Sequence, residues 1–224
     1  MANATTKGLG AAGGFFAKLL GDLIRPVKRW ALDAAEGITD KTGREAQERL
    51  GRELAEAANE RVNREIDDAL AKVNPKFDPH KPAYSENCTS AVQAYELRRR
   101  GFDVEAGPLE SHLWSTNGGP GGRPIDTISD TWGGTWSQAD KDGITQAFEQ
   151  AGPGSRGTVF IEWNGGGGHV FSVENVGGEV RYIDPQSGAT DVSHYFDHGG
   201  NTRFLRLDNL PTPGSSSLDR FLEP

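Results

Sequence analysis

Cys88, the single cysteine of this 224-residue chain, stands where a nucleophile would be effective. The segment Ser85-Glu86-Asn87-Cys88-Thr89 precedes a run of helical spacing, which predicts Cys88 in or just before the first turn of a helix over residues 88–100. Free N–H groups and the positive end of the helix dipole favour a thiolate at that point. The same N–H groups can hold the oxyanion of a tetrahedral intermediate. A lone cysteine is more often a small buried apolar residue, so the prediction needs a base.

His169 is the histidine best suited to be that base. It follows four glycines, Gly165 to Gly168, and opens an apolar strand that continues to Val173. Glycines at such a point let another backbone or a substrate approach closely. The remaining histidines stand in contexts that predict solvated loop or turn residues: His80, His112, His194 and His198. The last two have the spacing of zinc ligands on a helix, but no helical pattern surrounds them, so we predict no metal site.

A predicted β-hairpin brings a carboxylate to the same place as His169. Gly177-Gly178 is a strong two-residue turn signal. If these glycines are the central turn residues, Glu174 lies opposite Arg181 in a favourable cross-strand ion pair. In this register, His169, Asp184 and Gln186 share one face at the open end of the hairpin. A carboxylate beside an imidazole fixes its tautomer and supports its charge, so the sequence predicts a Cys88, His169 and Asp184 triad.

Two segments precede the predicted catalytic domain. Residues 1–30 are basic and hold five Lys or Arg against one Asp. Apolar residues at helical spacing within this segment predict a helix that binds a membrane surface, a protein partner or the rest of this chain. Residues 31–75 predict a charged helical extension that Asn74-Pro75 ends. Its apolar residues recur every fourth position and form one stripe: Leu50, Leu54, Ala58, Val62, Ile66 and Leu70. We interpret this extension as a stalk, adaptor or packing element.

Residues 76–210 predict the catalytic domain, and residues 211–224 predict a tail that is loose until an apolar turn at Leu218–Leu222. The domain begins with the helix at Cys88 and continues with a second helix over residues 139–150. An antiparallel meander follows, with strands at Thr158–Trp163, His169–Asn175, Glu179–Asp184 and Arg203–Leu207. Helices followed by an antiparallel sheet indicate the α+β class.

Composition excludes several classes of protein. A formal charge of −8 argues against a general nucleic-acid binder, which would usually show a basic face. A single cysteine excludes an internal disulfide framework and thiolate-rich metal sites. No apolar run approaches the length that a bilayer requires, and the N-terminus lacks the continuous apolar region of an ordinary secretory signal. The predicted chemistry requires no cofactor.

Four blocks of residues, taken in order, resemble the papain-fold toxin family of bacterial polymorphic toxin systems, whose members are regarded as glutamine deamidases. The blocks are Asn87-Cys88, Tyr95 to Ala106, Gly168 to Phe171, and Tyr182 to Gln186, and the resemblance covers roughly residues 80–208. It implies a papain-like cysteine hydrolase fold, in which the nucleophile helix packs on an antiparallel sheet and a helical extension precedes them.

The resemblance also implies roles for individual residues. Cys88 matches the family nucleophile, His169 its general base and acid, and Asp184 the residue that orients the histidine. Gln186 belongs to the same Asp-Pro-Gln block and is a supporting residue. Papain has an oxyanion-hole glutamine a few residues before its cysteine, and no glutamine stands there in this chain. The candidates for the second oxyanion donor are therefore Asn87, Ser85 or a backbone N–H.

The implied function is that of a toxin or effector that deamidates glutamine side chains of a protein in a competing or host cell. Its expected partners are the protein substrate, an immunity protein, and a delivery apparatus or membrane surface contacted by residues 1–30, with no nucleic acid. We expect synthesis in the bacterial cytoplasm without an ordinary signal peptide, then export and action in the target-cell cytosol. The chemistry leaves open a papain-like cysteine protease and a transglutaminase. A non-catalytic packaging, secretion or virion-assembly module is the alternative from another class.

Overall fold

A computed structural model of the chain describes residues 41–115 and 121–223. The predicted basic segment 1–30 lies outside the described residues. The described residues fall into two compact units: residues 41–62 with Arg100–Phe102 belong to one, and Asn63–Arg99 with the residues from Asp103 onward belong to the other. Within the described ranges, no helix is both long and apolar enough to cross a membrane.

The first element is helix α1, Lys41–Val73, which lies within the predicted charged extension 31–75; residues 31–40 of that prediction lie outside the described residues. In the first unit its apolar residues Leu50 and Leu54 are exposed, and Arg49 pairs with Glu53 one turn later. In the second unit its last turns are buried through Ile66, Ala69, Leu70 and Val73. The final turns of α1 therefore contribute apolar side chains to the core of the second unit, and the helix ends one residue before Asn74, as predicted.

The other helices of the second unit are short. They are α2, Pro82–Ser85; α3, Cys88–Arg99; α4, Asp126–Trp132; α5, Lys141–Ala151; and α6, Ser215–Leu218. Three 3₁₀ turns add Ser111–Leu113, Ser193–Asp197 and Asp219–Phe221. Helix α3 begins at Cys88, in agreement with the sequence, and ends before Gly101, which has a left-handed φ of 90°. Asp140 caps α5 by accepting a hydrogen bond from the Gly143 N–H.

One antiparallel sheet of five strands forms the centre of the second unit. Its strands are β1, Ser137–Gln138; β2, Arg156–Trp163; β3, Gly168–Val176; β4, Glu179–Ile183; and β5, Gly199–Arg206. The order across the sheet is β1-β5-β2-β3-β4. The predicted meander is therefore correct for β2 to β4 and wrong for β5. After β4 the chain crosses back, and β5 pairs with the free edge of β2.

The β3–β4 hairpin has the predicted register, with Glu174 opposite Arg181. The predicted ion pair between these two residues is nevertheless not formed. Glu174 is buried and accepts hydrogen bonds from the Tyr95 hydroxyl at 2.7 Å and from Arg99 Nε at 2.9 Å. Arg181 lies on an edge strand and donates instead to Asn63 Oδ1 at 2.9 Å. A buried carboxylate requires a buried partner, and Arg99 on α3 provides one.

The two faces of the sheet have different roles because side chains alternate along each strand. One face of β3 meets α3, as the Tyr95–Glu174 bond shows. Phe171 and Val173 point to the opposite face, where they form the main apolar cluster with Ile144 and Phe148 of α5. The second unit is thus an α+β fold in which the helix that starts at Cys88 packs on an antiparallel sheet.

The apolar turn predicted at Leu218–Leu222 is present and packs against this fold, whereas Ser215 to Ser217, which were predicted to be loose, belong to helix α6. Leu218 and Phe221 are buried. The Gly107 N–H donates to the Phe221 carbonyl at 2.8 Å, and the Glu223 N–H donates to the Glu105 carbonyl at 3.0 Å. These backbone hydrogen bonds attach the end of the tail to the segment Glu105–Gly107.

Candidate active site

Cys88 is the first residue of α3 and is half-buried. The N–H groups of Ser90 and Ala91 donate to the Asn87 carbonyl at 2.8 and 3.0 Å. Among the described residues, no backbone carbonyl accepts from the N–H groups of Cys88 or Thr89, which are the first two of the helix. Helix N-termini leave such donors free, and they attract negative charge. The thiol therefore lies beside two N–H groups that could stabilise a thiolate or an oxyanion.

His169 lies near the start of β3, directly opposite Ile161 of β2, and its side chain is only 12% exposed. Its Nε2 is 3.3 Å from Asp184 Oδ2. The alignment of this contact does not meet hydrogen-bond geometry, so the attraction is mainly one of charge. Since Nε2 faces Asp184, Nδ1 is the ring nitrogen that remains for the Cys88 thiol. The structure thus brings together the three residues of the predicted triad.

The electrostatics of these groups favour a protonated imidazole beside an ionised carboxylate. Burial alone would lower the pKa of His169, but interactions with Asp184 and with Cys88 raise it from 6.5 to about 10. Burial would likewise raise the pKa of Asp184, and the contacts with His169, Ser187 and the Gln186 N–H lower it below 3.8. The arrangement can supply a proton from His169 to a leaving group and accept one from an attacking group.

Asp184 is held in place by several donors. Its Oδ1 accepts from the Gln186 N–H at 3.0 Å, and its Oδ2 accepts from Ser187 Oγ at 2.8 Å and from the Tyr195 hydroxyl at 3.2 Å. Burial and the nearby Asp184 charge raise the pKa of Tyr195 to about 12, so the phenol remains a donor. These contacts fix the carboxylate in the orientation that meets His169, which is the role that the sequence assigned to it.

Aromatic rings enclose the imidazole. Trp163 stacks on His169 with ring centroids 6.0 Å apart, and Tyr195 meets it edge-on at 5.7 Å. Phe171 stacks on the ring at 6.3 Å. Sequence reasoning did not identify Trp163, Ser187 or Tyr195. Tyr195 lies beside His194 in a segment that was considered only for zinc, and its hydroxyl reaches Asp184 through a fold-dependent contact. An apolar enclosure strengthens the ion pair because it excludes water.

The glycines before His169 have separate roles. Gly166 and Gly167 adopt left-handed φ values of 95° and 78° in the β2–β3 turn, a conformation that other residues rarely adopt. A Cβ on Gly168 would lie 2.5 Å from the Phe160 ring. The close approach that the sequence predicted at Gly168 is therefore to Phe160 of the same chain.

Two of the candidate oxyanion donors have their polar atoms directed elsewhere. Asn87 is fully buried, and its Nδ2 donates to Asn74 Oδ1 at 3.2 Å and to the Gly107 carbonyl at 3.1 Å. Ser85 Oγ donates to the Lys81 carbonyl at 3.1 Å. The structure therefore favours backbone N–H groups as donors and gives Asn87 a supporting place. Gln186 is also buried, and its Nε2 donates to Asn87 Oδ1 at 3.3 Å.

The two histidines with zinc-like spacing lie on the 3₁₀ turn Ser193–Asp197 and just after it. The rings of His194 and His198 are 6.3 Å apart and meet edge to face. Within residues 41–115 and 121–223, no three His, Cys, Asp or Glu side chains are grouped as metal ligands would be.

Comparison with known proteins supports the resemblance seen in the sequence. Residues 86–189 match the family model described as papain fold toxin 1, glutamine deamidase. The matched segment contains Cys88, His169 and Asp184, and it leaves Asn74 and Tyr195 outside. The resemblance stated from the residues is thereby confirmed. No curated protein and no solved structure matches the chain.

Proposed function

We propose that this chain, whose residues 86–189 belong to the papain fold toxin 1, glutamine deamidase family, hydrolyses glutamine side chains of a target protein through a thioester on Cys88. The observation that carries the proposal is the 3.3 Å approach of His169 Nε2 to Asp184 Oδ2 in a buried site, where interactions with Asp184 and Cys88 raise the imidazole pKa to about 10. A buried imidazole whose pKa is raised by a thiol and a carboxylate is suited to a thiolate–imidazolium pair.

The reaction begins when the Cys88 thiolate attacks the amide carbon of the glutamine side chain and forms a C–S bond. Negative charge moves to the amide oxygen, where the N–H groups at the start of α3 can stabilise it. The C–N bond then breaks, and the His169 imidazolium gives its proton to the leaving nitrogen, which departs as ammonia. The product of this half-reaction is a thioester between Cys88 and the target.

Water completes the reaction. Neutral His169 takes a proton from the attacking water, the C–S bond breaks, and the Cys88 thiolate is regenerated beside the imidazolium. The target retains a glutamate in place of the glutamine. It gains a negative charge and loses two N–H donors, which is enough to disable a protein interface that depended on them.

The family description, which names toxins, supports a proposal about the biological setting. We propose a protein target in another cell, reached after export from a bacterial cytoplasm. An immunity protein would protect the producing cell by covering the site. Residues 1–30 would contact a delivery apparatus or a membrane surface.

Mass spectrometry of a candidate host lysate tests the proposal. Wild-type protein should convert glutamine to glutamate in one or a few proteins, a gain of about one mass unit at each site, and Cys88→Ala should abolish the conversion. New peptide termini that depend on Cys88 would replace the proposal with a cysteine protease. Wild-type samples with neither change would favour a non-catalytic module.

A further inference from the structure

Asn74, which follows the last residue of α1, is a buried residue with an unusually complete set of partners. Only 6% of it is exposed. Its Nδ2 donates to the Gln186 carbonyl at 2.8 Å and to the Tyr84 carbonyl at 3.0 Å, and it lies 3.4 Å from Asn87 Oδ1. Its Oδ1 accepts from Asn87 Nδ2 at 3.2 Å. The side chain therefore connects three segments of the chain that are distant in sequence.

Asn87 is the second member of this amide cluster and immediately precedes Cys88. Its Oδ1 accepts from Gln186 Nε2 and lies 3.4 Å from Asn74 Nδ2, and its Nδ2 donates to Asn74 Oδ1 and to the Gly107 carbonyl. Its backbone carbonyl accepts the first two hydrogen bonds of α3, from Ser90 and Ala91. A displacement of Asn87 would therefore move the first turn of the helix that carries Cys88.

Gln186 is the third member and belongs to the loop that carries Asp184. Its backbone N–H donates to Asp184 Oδ1 at 3.0 Å, while its carbonyl accepts from Asn74 and its side chain donates to Asn87. A displacement of Gln186 would therefore move the carboxylate that faces His169. The cluster links the thiol side of the site to the carboxylate side.

We propose that Asn74, Asn87 and Gln186 form an amide bridge that sets the separation between Cys88 and the His169–Asp184 pair. In this bridge Asn74 is a positioning residue contributed from the end of the helical extension, outside the segment that matches the family. Buried polar groups are costly when they lose their partners, so hydrogen bonds among three buried amides favour one geometry of the cluster. The inference rests on the proposed function because it describes the same site.

The bridge gives the helical extension a part in the chemistry. Ile66, Leu70 and Val73 anchor the last turns of α1 in the core of the second unit, and Asn74 follows immediately. The domain boundary predicted near residue 75 separates Asn74 and the last turns of α1 from the predicted catalytic domain 76–210. A catalytic domain that began at residue 76 would contain Asn87 and Gln186 but not the residue that joins them.

The test uses the full chain with Asn74→Asp, which keeps the shape of the side chain and replaces its donor with an acceptor. The carboxylate would face the carbonyls of Gln186 and Tyr84, and two hydrogen bonds would be lost. Asn63→Asp is the matched control: it makes the same chemical change within α1, and its partner Arg181 can donate to an Asn or an Asp oxygen at that position. The readout is the rate of alkylation of Cys88 by iodoacetamide between pH 5 and 9. Because Cys88 is the only cysteine, the label reports one site.

We expect wild type and Asn63→Asp to react rapidly at pH 6, and folded Asn74→Asp to react at least about tenfold more slowly, with the pH dependence of a free thiol. Thermal melting and circular dichroism establish folding. A folded Asn74→Asp with the wild-type pH profile would overturn the bridge. If Asn74→Asp does not fold, Gln186→Glu decides instead: it removes one bond to Asn87, so a smaller loss in the same direction supports the bridge and an unchanged profile refutes it.

The same measurement separates this inference from the proposed function. A wild-type protein whose Cys88 reacts only as a free thiol would contradict the thiolate–imidazolium pair itself. A reactive wild type with equally reactive bridge variants would contradict only the positioning role.

Discussion

Replacing Asp184 with asparagine should slow the reaction of Cys88 with an alkylating agent at acidic pH. The substitution keeps the size of the side chain and removes the charge that lies 3.3 Å from His169 Nε2. Asp184 is the larger of the two groups that raise the pKa of His169, the other being Cys88. Without it, the buried imidazole loses most of its preference for the protonated form, and the thiolate loses its counterion.

The magnitude follows from the His169 pKa. A rise from 6.5 to about 10 corresponds to roughly 5 kcal/mol in favour of the imidazolium. If Asp184 supplies at least half of it, the equilibrium constant for forming the ion pair falls at least about 60-fold in Asp184→Asn. The upper limit is about 300-fold, since a free thiol is only about 0.3% thiolate at pH 6. We therefore expect alkylation at pH 6 to slow by a factor between these values.

The assay is the rate of iodoacetamide alkylation at pH 6 and pH 9, followed by intact-protein mass spectrometry. Asp191→Asn is a suitable control because Asp191 is exposed and its carboxylate accepts from the Ser193 N–H in its own turn. The control should react like wild type. A folded Asp184→Asn that alkylates at pH 6 as fast as wild type would refute the electrostatic reasoning.

Further predictions follow from the contacts around the site and its support. Tyr195→Phe removes the 3.2 Å hydrogen bond to Asp184, a loss of about 1 kcal/mol. Alkylation of Cys88 at pH 6 should therefore slow about fivefold. An unchanged rate would show that Tyr195 does not support the site. The difference in stability between wild type and Asp184→Asn, measured by thermal melting, should be largest between pH 3.8 and 6.5. The lowered pKa of Asp184 contributes stability that is fully present above pH 3.8. The raised pKa of His169 contributes stability that is lost as the pH rises from 6.5 through about 10. A gap that widened toward pH 10 would contradict this sign. Glu174→Gln removes the buried counterion of Arg99 and leaves it only the longer contact with half-exposed Glu65, which should cost about 3 kcal/mol of unfolding free energy. Glu179→Gln, with a 73% exposed side chain, should change it by less than about 0.5 kcal/mol. Equal effects in urea denaturation would count against the buried pair.

Local signals predicted the parts of the site that depend on neighbouring residues. A two-residue turn at Gly177-Gly178 allows one pairing of the flanking strands, so it predicted the β3–β4 register. That register in turn predicted that His169 and Asp184 lie close together. The start of α3 at Cys88 likewise followed from the residues around it.

The parts that sequence reasoning missed depend on tertiary contacts. Local sequence patterns do not show that β5 pairs with β2, or that Glu174 forms its ion pair with Arg99 instead of Arg181. The position of Asn74 after a helix indicated only a helix end, because its role arises from Asn87 and Gln186, which the fold brings to it. The role of a buried amide such as Asn74 can be recognised only when the fold shows which groups form its hydrogen bonds.

The most direct test of the central claim is deamidation in water enriched in the heavy oxygen isotope, with the target protein found in the lysate experiment. The account predicts that each converted glutamine yields a glutamate that carries one heavy oxygen, that ammonia is released in equal amount, and that Cys88→Ala and His169→Gln abolish both. Conversion that persists in Cys88→Ala would contradict a Cys88 thioester and would require another nucleophile.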